Sequence, residues 1–415
     1  MKRAVITGIG VLAPLGNTVD ELWQNLKAGK SGVSAVERFD ASRFDSRIAA
    51  QVKGFDPSAY LDKKELRRTD IVQQYVIAAD ESAIRDSQLN LDTVDKERVA
   101  VVTGSGIGGI LSFEEQHSIL LTKGPSKVSP FFINMMIIDM LSGLISLRYG
   151  FKGPNYCTVS ACASSAQAIG DALRIIQRGE AEVVVTGGAE AAITEMAFAG
   201  FCSARALSTR NDQPEKASRP FDADRDGFVM GEGAAILMLE EEEHAKKRGA
   251  KIYADLVGCG MSADAYHLTA PSPDGDGAAR SMRAALKDAG LSSEQVGYIN
   301  THGTSTPLGD VAETMAIKTV FGGRAGSIAI NSSKSMIGHM LGAAGAIETV
   351  VTALSLRDGF VHPTINIENQ DPQCDLNYMR DGGKAVDIRF ALSNSFGFGG
   401  HNVTLALGKH VDSSG

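Results

Sequence analysis

The chain has no excess of positive charge: 41 lysines and arginines stand against 49 aspartates and glutamates, a formal net charge of −8. That balance argues against general nucleic-acid binding and leaves no basic footprint for a membrane surface. Cysteine is scarce and scattered. Its five positions, 157, 162, 202, 259 and 374, are odd in number and include no CxxC pair. Neither a zinc site nor a disulfide framework fits, no metal is expected, and a reducing cytoplasmic setting is. Long apolar runs are missing too. The most apolar stretch, 131–147, is broken by Asn134, Asp139 and two serines, so it reads as a buried helix or pocket wall rather than a membrane span. The first residues carry Lys2 and Arg3, but Thr7, Gly8, Gly10 and Pro14 interrupt the apolar run behind them. A buried first strand fits better than a signal peptide.

What is present is glycine, 45 residues of it, set in short clusters after apolar runs. Strand-like runs at 4–7, 98–103, 182–186, 234–239, 253–257, 298–300, 327–331 and 390–394 each stop near such a cluster. Residues 154–159 also read as extended. Helical spacing lies between the runs, at 69–87, 166–178, 277–289, 311–320 and 345–357. The alternation indicates α/β architecture.

A length of 415 residues suggests two domains or one large duplicated one. Internal similarity favours duplication. Val5-Ile6-Thr7-Gly8-Ile9-Gly10 matches Asp255-Leu256-Val257-Gly258-Cys259-Gly260, and the segment 83–89 matches 285–291. Each match is followed by a strand and a polar-glycine loop, and the helix at 166–179 has a counterpart ending at Gly359. The expected division is a first half at 1–250, a second at 251–410 and a tail at 411–415. The charged run 240–251 forms the seam and reads as an exposed helix and turn. The long stretches 109–150 and 201–233 carry few periodic signals and read as functional loops.

Two motifs attract attention and fail on inspection. Gly104-Ser105-Gly106-Ile107-Gly108-Gly109 satisfies GxGxxG after a strand, but no second strand ends in an acidic residue at the distance a dinucleotide requires. Asp222-x-Asp224-x-Asp226-Gly227 opens like a calcium loop, yet its twelfth position is Gly233. A turn held by aspartate side chains fits better.

Candidate chemistry centres on Cys162, in Ser160-Ala161-Cys162-Ala163-Ser164-Ser165, where an extended run meets a helical one. A thiol there faces unpaired backbone N–H groups and the positive end of a helix dipole, both of which favour thiolate. The bland alternative is a buried apolar filler. Two histidines occupy similar junctions in the second half: His302 in Asn300-Thr301-His302-Gly303-Thr304-Ser305-Thr306-Pro307, and His339 in Lys334-Ser335-Met336-Ile337-Gly338-His339. Duplication places such junctions opposite one another, which points to one site between the halves. Asn394-Ser395-Phe396-Gly397-Phe398-Gly399-Gly400-His401 supplies a loop whose amides suit an oxyanion. The run 63–68 is the densest basic spot and reads either as a solvated helix face or as a site for an acidic partner.

Together these motifs resemble the β-ketoacyl-[acyl-carrier-protein] synthases of type II fatty-acid synthesis, closest to the synthase II subtype, from Ala4 to about Leu407. The resemblance implies a thiolase fold, a duplicated five-layer α-β-α-β-α sandwich that usually dimerises with itself. It implies that Cys162 accepts an acyl chain, and that His302 and His339 bind the malonyl thioester, promote its decarboxylation and stabilise the resulting carbanion. The product is a 3-oxoacyl chain two carbons longer. Lys334 and Glu348 match buried charged residues that order the histidine side. Phe398 matches a gate, and its N–H with that of Cys162 an oxyanion hole. Thr304 and Thr306 match residues that hold a phosphopantetheine arm, which the partner acyl-carrier protein brings, so no cofactor of the chain's own is expected. Ile107, Phe132 and Phe396 match substrate-pocket positions, and Lys64, Arg67, Arg68 and Arg205 the surface that receives the acidic carrier.

The sequence departs from that pattern in two places. The segment 131–140 has Asn134 where the family commonly has proline and methionines where small residues are usual, and Cys162 is followed by Ala163-Ser164-Ser165 where Thr/Ala-x-Gly is commoner. Two other readings stand beside the first: a polyketide-type ketosynthase with a specialised acyl substrate, and a non-catalytic chain-length-factor-like partner. The intact cysteine and histidines argue against the last. Thiolase proper would need a second cysteine in a comparable glycine-rich junction.

Overall fold

Ten strands form one continuous hydrogen-bonded ladder in the computed structural model, which describes residues 1–411. Positions 412–415 of the expected tail lie outside the described residues. In chain order the strands are β1 (Ala4–Leu12), β2 (Val99–Gly104), β3 (Asn155–Thr158), β4 (Val183–Glu190), β5 (Gly233–Glu241), β6 (Ala254–Ala263), β7 (Val296–Asn300), β8 (Ala329–Asn331), β9 (Phe390–Gly397) and β10 (His401–Gly408). Outward from the middle the first half runs β1-β5-β4-β2-β3 and the second β6-β10-β9-β7-β8, the same order with each number raised by five. The halves meet at β1 and β6 over three antiparallel pairs, Ala4 with Leu256 through Ile6 with Ala254.

The main helices are α1 (Ile71–Ser87), α2 (Ser164–Gln177), α3 (Asp276–Ala289), α4 (Pro307–Phe321) and α5 (Ala344–Asp358). Helices α2 and α5 pack on each other and touch strands of both halves, whereas α1 covers β1 and β5, and α3 covers β6 and β10. The layers are therefore α-β-α-β-α. A central helix must be buried all round, and every residue of α5 from Ala344 to Leu356 is. Its two threonine hydroxyls are satisfied within the helix, Thr349 donating to the Gly345 carbonyl and Thr352 to that of Glu348. At the surface, α1 starts on Asp70, whose carboxylate caps it while Gln73 reaches back.

The glycine repeat has a packing cause. A Cβ at Gly8 would lie 2.4 Å from the Ala83 carbonyl oxygen, and one at Gly258 would lie 2.7 Å from that of Ala285. These are matched positions of the repeat, so bare strand glycines let α1 and α3 approach their sheets closely. For the same reason several strands outrun the sequence expectation: β1 continues past Gly8 and Gly10 to Leu12, and β6 past Gly258 and Gly260 to Ala263. Strand β10 has no counterpart in that expectation. It begins immediately after Gly399-Gly400, with only the three-residue turn Phe398–Gly400 between it and β9.

Two further expectations are corrected. The seam at 240–251 is not simply exposed: Glu240 and Glu242 are buried, Glu240 accepting from Thr7, His244 and Arg248. The apolar stretch 131–147 is not a buried helix. It forms a short helix at Phe132–Met136 and most of another at Met140–Tyr149, with Ile133 and Leu147 exposed.

Candidate active site

Cys162 sits on a sharp turn between β3 and α2. Ala161 takes a left-handed conformation, φ +51°, although it is not glycine, and the single turn Ala161–Ala163 leads into the helix. Ser164 holds the bend, donating to the Ala161 carbonyl at 2.7 Å and accepting from the Ser160 N–H at 2.9 Å. Ser165 accepts from the Ala346 N–H of the facing helix at 2.9 Å. The unusual serines after the cysteine thus have structural work: one fixes the elbow and the other joins α2 to α5. Gly397 lies against the same turn, where a Cβ would sit 2.6 Å from the Ser160 carbonyl oxygen and 3.0 Å from the Cys162 nitrogen. The second half repeats the elbow at Leu341, φ +44°, ahead of α5.

The sulfur of Cys162 and one nitrogen each of His302 and His339 lie within 4.8 Å of one another. His302 follows β7, its N–H and that of Gly303 donating to Glu313 of α4 at 2.9 and 2.8 Å. Asn394 donates to the same carboxylate at 3.0 Å. His339 is held through its backbone, its N–H on the Val229 carbonyl and its carbonyl receiving the Gly231 N–H. Behind them Lys334 is ion-paired with Glu348, both buried, and its Nζ stands 3.5 Å from His302 Nδ1.

Burial sets the charges. Desolvation and then the Lys334 charge hold both imidazoles well below the ordinary histidine range, so they are neutral. An ammonium only donates, so the Lys334 contact makes His302 Nδ1 an acceptor and leaves the proton on Nε2. The thiol departs from the expectation drawn from helix position. Burial pushes Cys162 up to about 12, against the lowering effects of Lys334 and of the Phe398 backbone N–H. At rest it is a thiol. Cysteine with two histidines is also a soft ligand set, but the Lys334 cation beside it opposes a divalent ion.

These residues open onto a cavity of about 570 Å³, lined also by Ile107, Arg205, Thr304, Thr306, Phe396 and Phe398. The Thr304 and Thr306 hydroxyls are 2.9 Å apart. Lys334 and Glu348 lie behind the wall. Phe132 is not brought to the cavity and packs instead against Phe113, with ring centroids 6.4 Å apart. Lys64, Arg67 and Arg68 are exposed around the short helix Lys63–Leu66, apart from the cavity lining, with Arg68 over the Phe131 ring at 4.3 Å.

Sequence reasoning missed two buried carboxylates. Glu313 organises the His302 turn through the three bonds it accepts there. Glu190, at the end of β4, receives the backbone N–H groups of Gly106, Ile107 and Gly108. The GxGxxG loop therefore cradles an anion of the protein itself, which the motif's chemistry allows and its pattern alone does not reveal. The calcium-like segment is likewise a turn, Asp222 pairing with Arg219 and accepting from the Asp224 and Asn369 N–H groups.

Residues 1–245 match the family described as beta-ketoacyl synthase, N-terminal domain, and residues 253–368 its C-terminal domain. A 3-oxoacyl-[acyl-carrier-protein] synthase 2 from Synechocystis is 54% identical over 99% of this chain and 98% of its own length. One of the same description from Staphylococcus aureus is 50% identical over 98% of both chains. Among solved structures, a beta-ketoacyl synthase from Burkholderia phymatum superposes with a TM-score of 0.93 at 39% identity, covering 99% of this chain and 100% of the other. A type II polyketide ketosynthase in complex with its acyl-carrier protein gives 0.91 at 36% identity, with the same coverage.

Proposed function

Since the chain belongs to the β-ketoacyl synthase family, and its 50–54% identical relatives are 3-oxoacyl-[acyl-carrier-protein] synthases, acyltransferases of fatty-acid elongation, we propose that Cys162, His302 and His339 carry the condensation between them. The Cys162 sulfur attacks an acyl-carrier thioester, and its proton leaves with the carrier thiol. Transient negative charge on the carbonyl oxygen falls to the N–H groups of Cys162 and Phe398. Each such donor contributes roughly 3 kcal/mol. Cysteine suits thioester exchange because it is both a soft nucleophile and a good leaving group.

A malonyl thioester then enters with its carbonyl oxygen between the neutral imidazoles. The bond from Cα to the carboxylate breaks, carbon dioxide leaves, and the electron pair stays on Cα as an enolate. The His302 Nε2–H and the His339 ring stabilise that charge as hydrogen-bond donors. The enolate attacks the acyl-Cys162 carbonyl, the sulfur departs, and a 3-oxoacyl thioester two carbons longer remains on the carrier. Lys334 and Glu348 keep His302 in the required tautomer, and Thr304 and Thr306 meet the phosphopantetheine arm that the carrier brings.

The observation that carries this reading is the meeting of one cysteine and two neutral histidines, from opposite halves, at one cavity. The carrier docks where its acidic surface meets Lys64, Arg67, Arg68 and Arg205. The protein works as a cytoplasmic homodimer: β3 is an edge strand with exposed Tyr156 on it, exposed Val159 just after it and, packed beside it, a helix that exposes Leu147, and an open apolar edge calls for a partner. Among the described residues no helix is long and apolar enough to cross a membrane. A polyketide-type substrate is a second reading, supported by the 36% identity of this chain to a type II polyketide ketosynthase. Incubating the purified chain with acyl- and malonyl-carrier proteins and weighing the products decides the matter. A 3-oxoacyl product from saturated acyl carriers is expected. No product from any carrier would overturn the assignment, and product only from oxygenated chains would favour the second reading.

A further inference from the structure

The carboxylate of Glu190 is the most heavily bonded acidic group beside the site, and neither acyl transfer nor decarboxylation uses it. It is fully buried at the end of β4. Oε1 receives the Ser105 hydroxyl at 2.9 Å and the N–H groups of Ile107 and Gly108 at 3.1 and 3.3 Å. Oε2 receives the Gly106 N–H at 2.8 Å and the Gly342 N–H at 2.9 Å. Among the described residues no lysine, arginine or histidine pairs with it, so its charge is held by backbone amides and one hydroxyl.

The two ends of this brace belong to different halves. Gly106 and Ile107 follow β2, whereas Gly342 lies in the elbow that leads to α5. The approach is close: a Cβ at Gly342 would fall 2.2 Å from the Gly106 nitrogen and 2.7 Å from Glu190 Oε2. Ile107, bonded directly, and Leu341, next to Gly342, both line the cavity and cluster with Cys162, Phe198 and Phe201. These side chains form an apolar part of the cavity wall beside the sulfur.

We propose that Glu190 is a positioning residue for acyl-chain specificity: by tying the Ile107 loop to the Leu341 elbow, it sets the width of the apolar passage beside Cys162. The inference rests on the acyl-transfer reading of the cavity for its meaning, and on the geometry alone for the width. In Glu190→Gln one oxygen position becomes an amide donor, so either Gly106 and Gly342 or the Ser105 side lose their acceptor. The passage then loosens or shifts, and chain-length discrimination changes more than the chemistry on the histidine side.

The test compares Glu190→Gln, the charge-retaining but shorter Glu190→Asp, and the milder Ser105→Ala with the unaltered protein. Transfer of butyryl and myristoyl groups from carrier protein to Cys162 is measured, with malonyl-carrier decarboxylation as the histidine-side control. The myristoyl-to-butyryl ratio is expected to change by about tenfold in Glu190→Gln, the weight of one charge-assisted hydrogen bond. It should move the same way, but less, in Ser105→Ala, while decarboxylation stays near the original rate. An unchanged ratio in every folded variant, or loss of decarboxylation in step with acyl transfer, would overturn the proposal. Alkylation of Cys162 by short- and long-chain N-alkyl iodoacetamides reads the same passage without carrier or malonyl group. A ratio that shifts there in a protein unable to condense would refute the condensation reading and leave the role of Glu190 standing.

Discussion

The imidazole of His302 stands edge-on to that of His339, ring centroids 5.2 Å apart and planes at 86°. Two protonated rings at that distance would repel, and Lys334 adds a third positive charge, so the arrangement holds only while both rings are neutral. Donation of hydrogen bonds, and not proton transfer, is what this geometry offers a developing enolate.

The two halves of the reaction should therefore separate by mutation. Cys162→Ala is expected to abolish condensation. His302→Ala should still take up the acyl group on Cys162 but lose condensation by about a hundredfold or more, the usual weight of one donor at a developing oxyanion. Mass measurement of the intact protein after acyl loading, with a malonyl chase, distinguishes the two variants.

Gly397→Ala probes the oxyanion side. Its Cβ would press on the Ser160 carbonyl and the Cys162 nitrogen, displacing the elbow from the Phe398 amide. Acyl loading should fall by about a hundredfold with the fold retained. Loading at the original rate, in a protein with unchanged circular dichroism, would contradict the assignment of those amides.

Stability should respond to acid through the buried histidines. The folded state lowers the pKa of His339 below its unfolded value, so unfolded chains bind the extra proton first. No penalty exists above about pH 6.5, and one accumulates as pH falls below it, at about 1.4 kcal/mol per pH unit. Glu313 and Glu348, raised to about 7 by burial, act in the opposite direction, so wild type alone does not isolate the effect. Comparison with His339→Asn does. The difference in melting temperature between the two should be constant above pH 6.5 and shrink or reverse toward pH 5, as wild type carries the His339 penalty on top of the His302 penalty that both proteins share.

Charge reversal at the basic surface tests carrier docking. Lys64→Glu and Arg205→Glu should raise KM for carrier-bound substrates several-fold, with added salt weakening wild-type binding in the same direction. Turnover of small acyl thioesters that lack the carrier should not change with Lys64→Glu. Equal loss on both substrate types would place Lys64 outside the docking surface.

Much of this molecule is legible in the linear order of residues. The alternation of strand and helix, the repeat of Val5–Gly10 at 255–260, and the placing of Cys162, His302 and His339 at strand-to-helix junctions all come from periodicity and residue type. Those are local properties, and junctions repeated by duplication face one another by symmetry. What the sequence could not decide was where buried charges find partners. Glu190 and the GxGxxG loop are separated by some eighty residues, and Lys334, at the start of the short helix Lys334–Ile337, meets His302 from 32 residues away. Strand ends are misread because a glycine that accommodates a neighbouring helix looks the same in sequence as one that starts a turn. The protonation of the site belongs to tertiary structure alone: position at a helix start favours thiolate, but burial outweighs it and keeps Cys162 a thiol, because desolvation depends on everything packed around the sulfur.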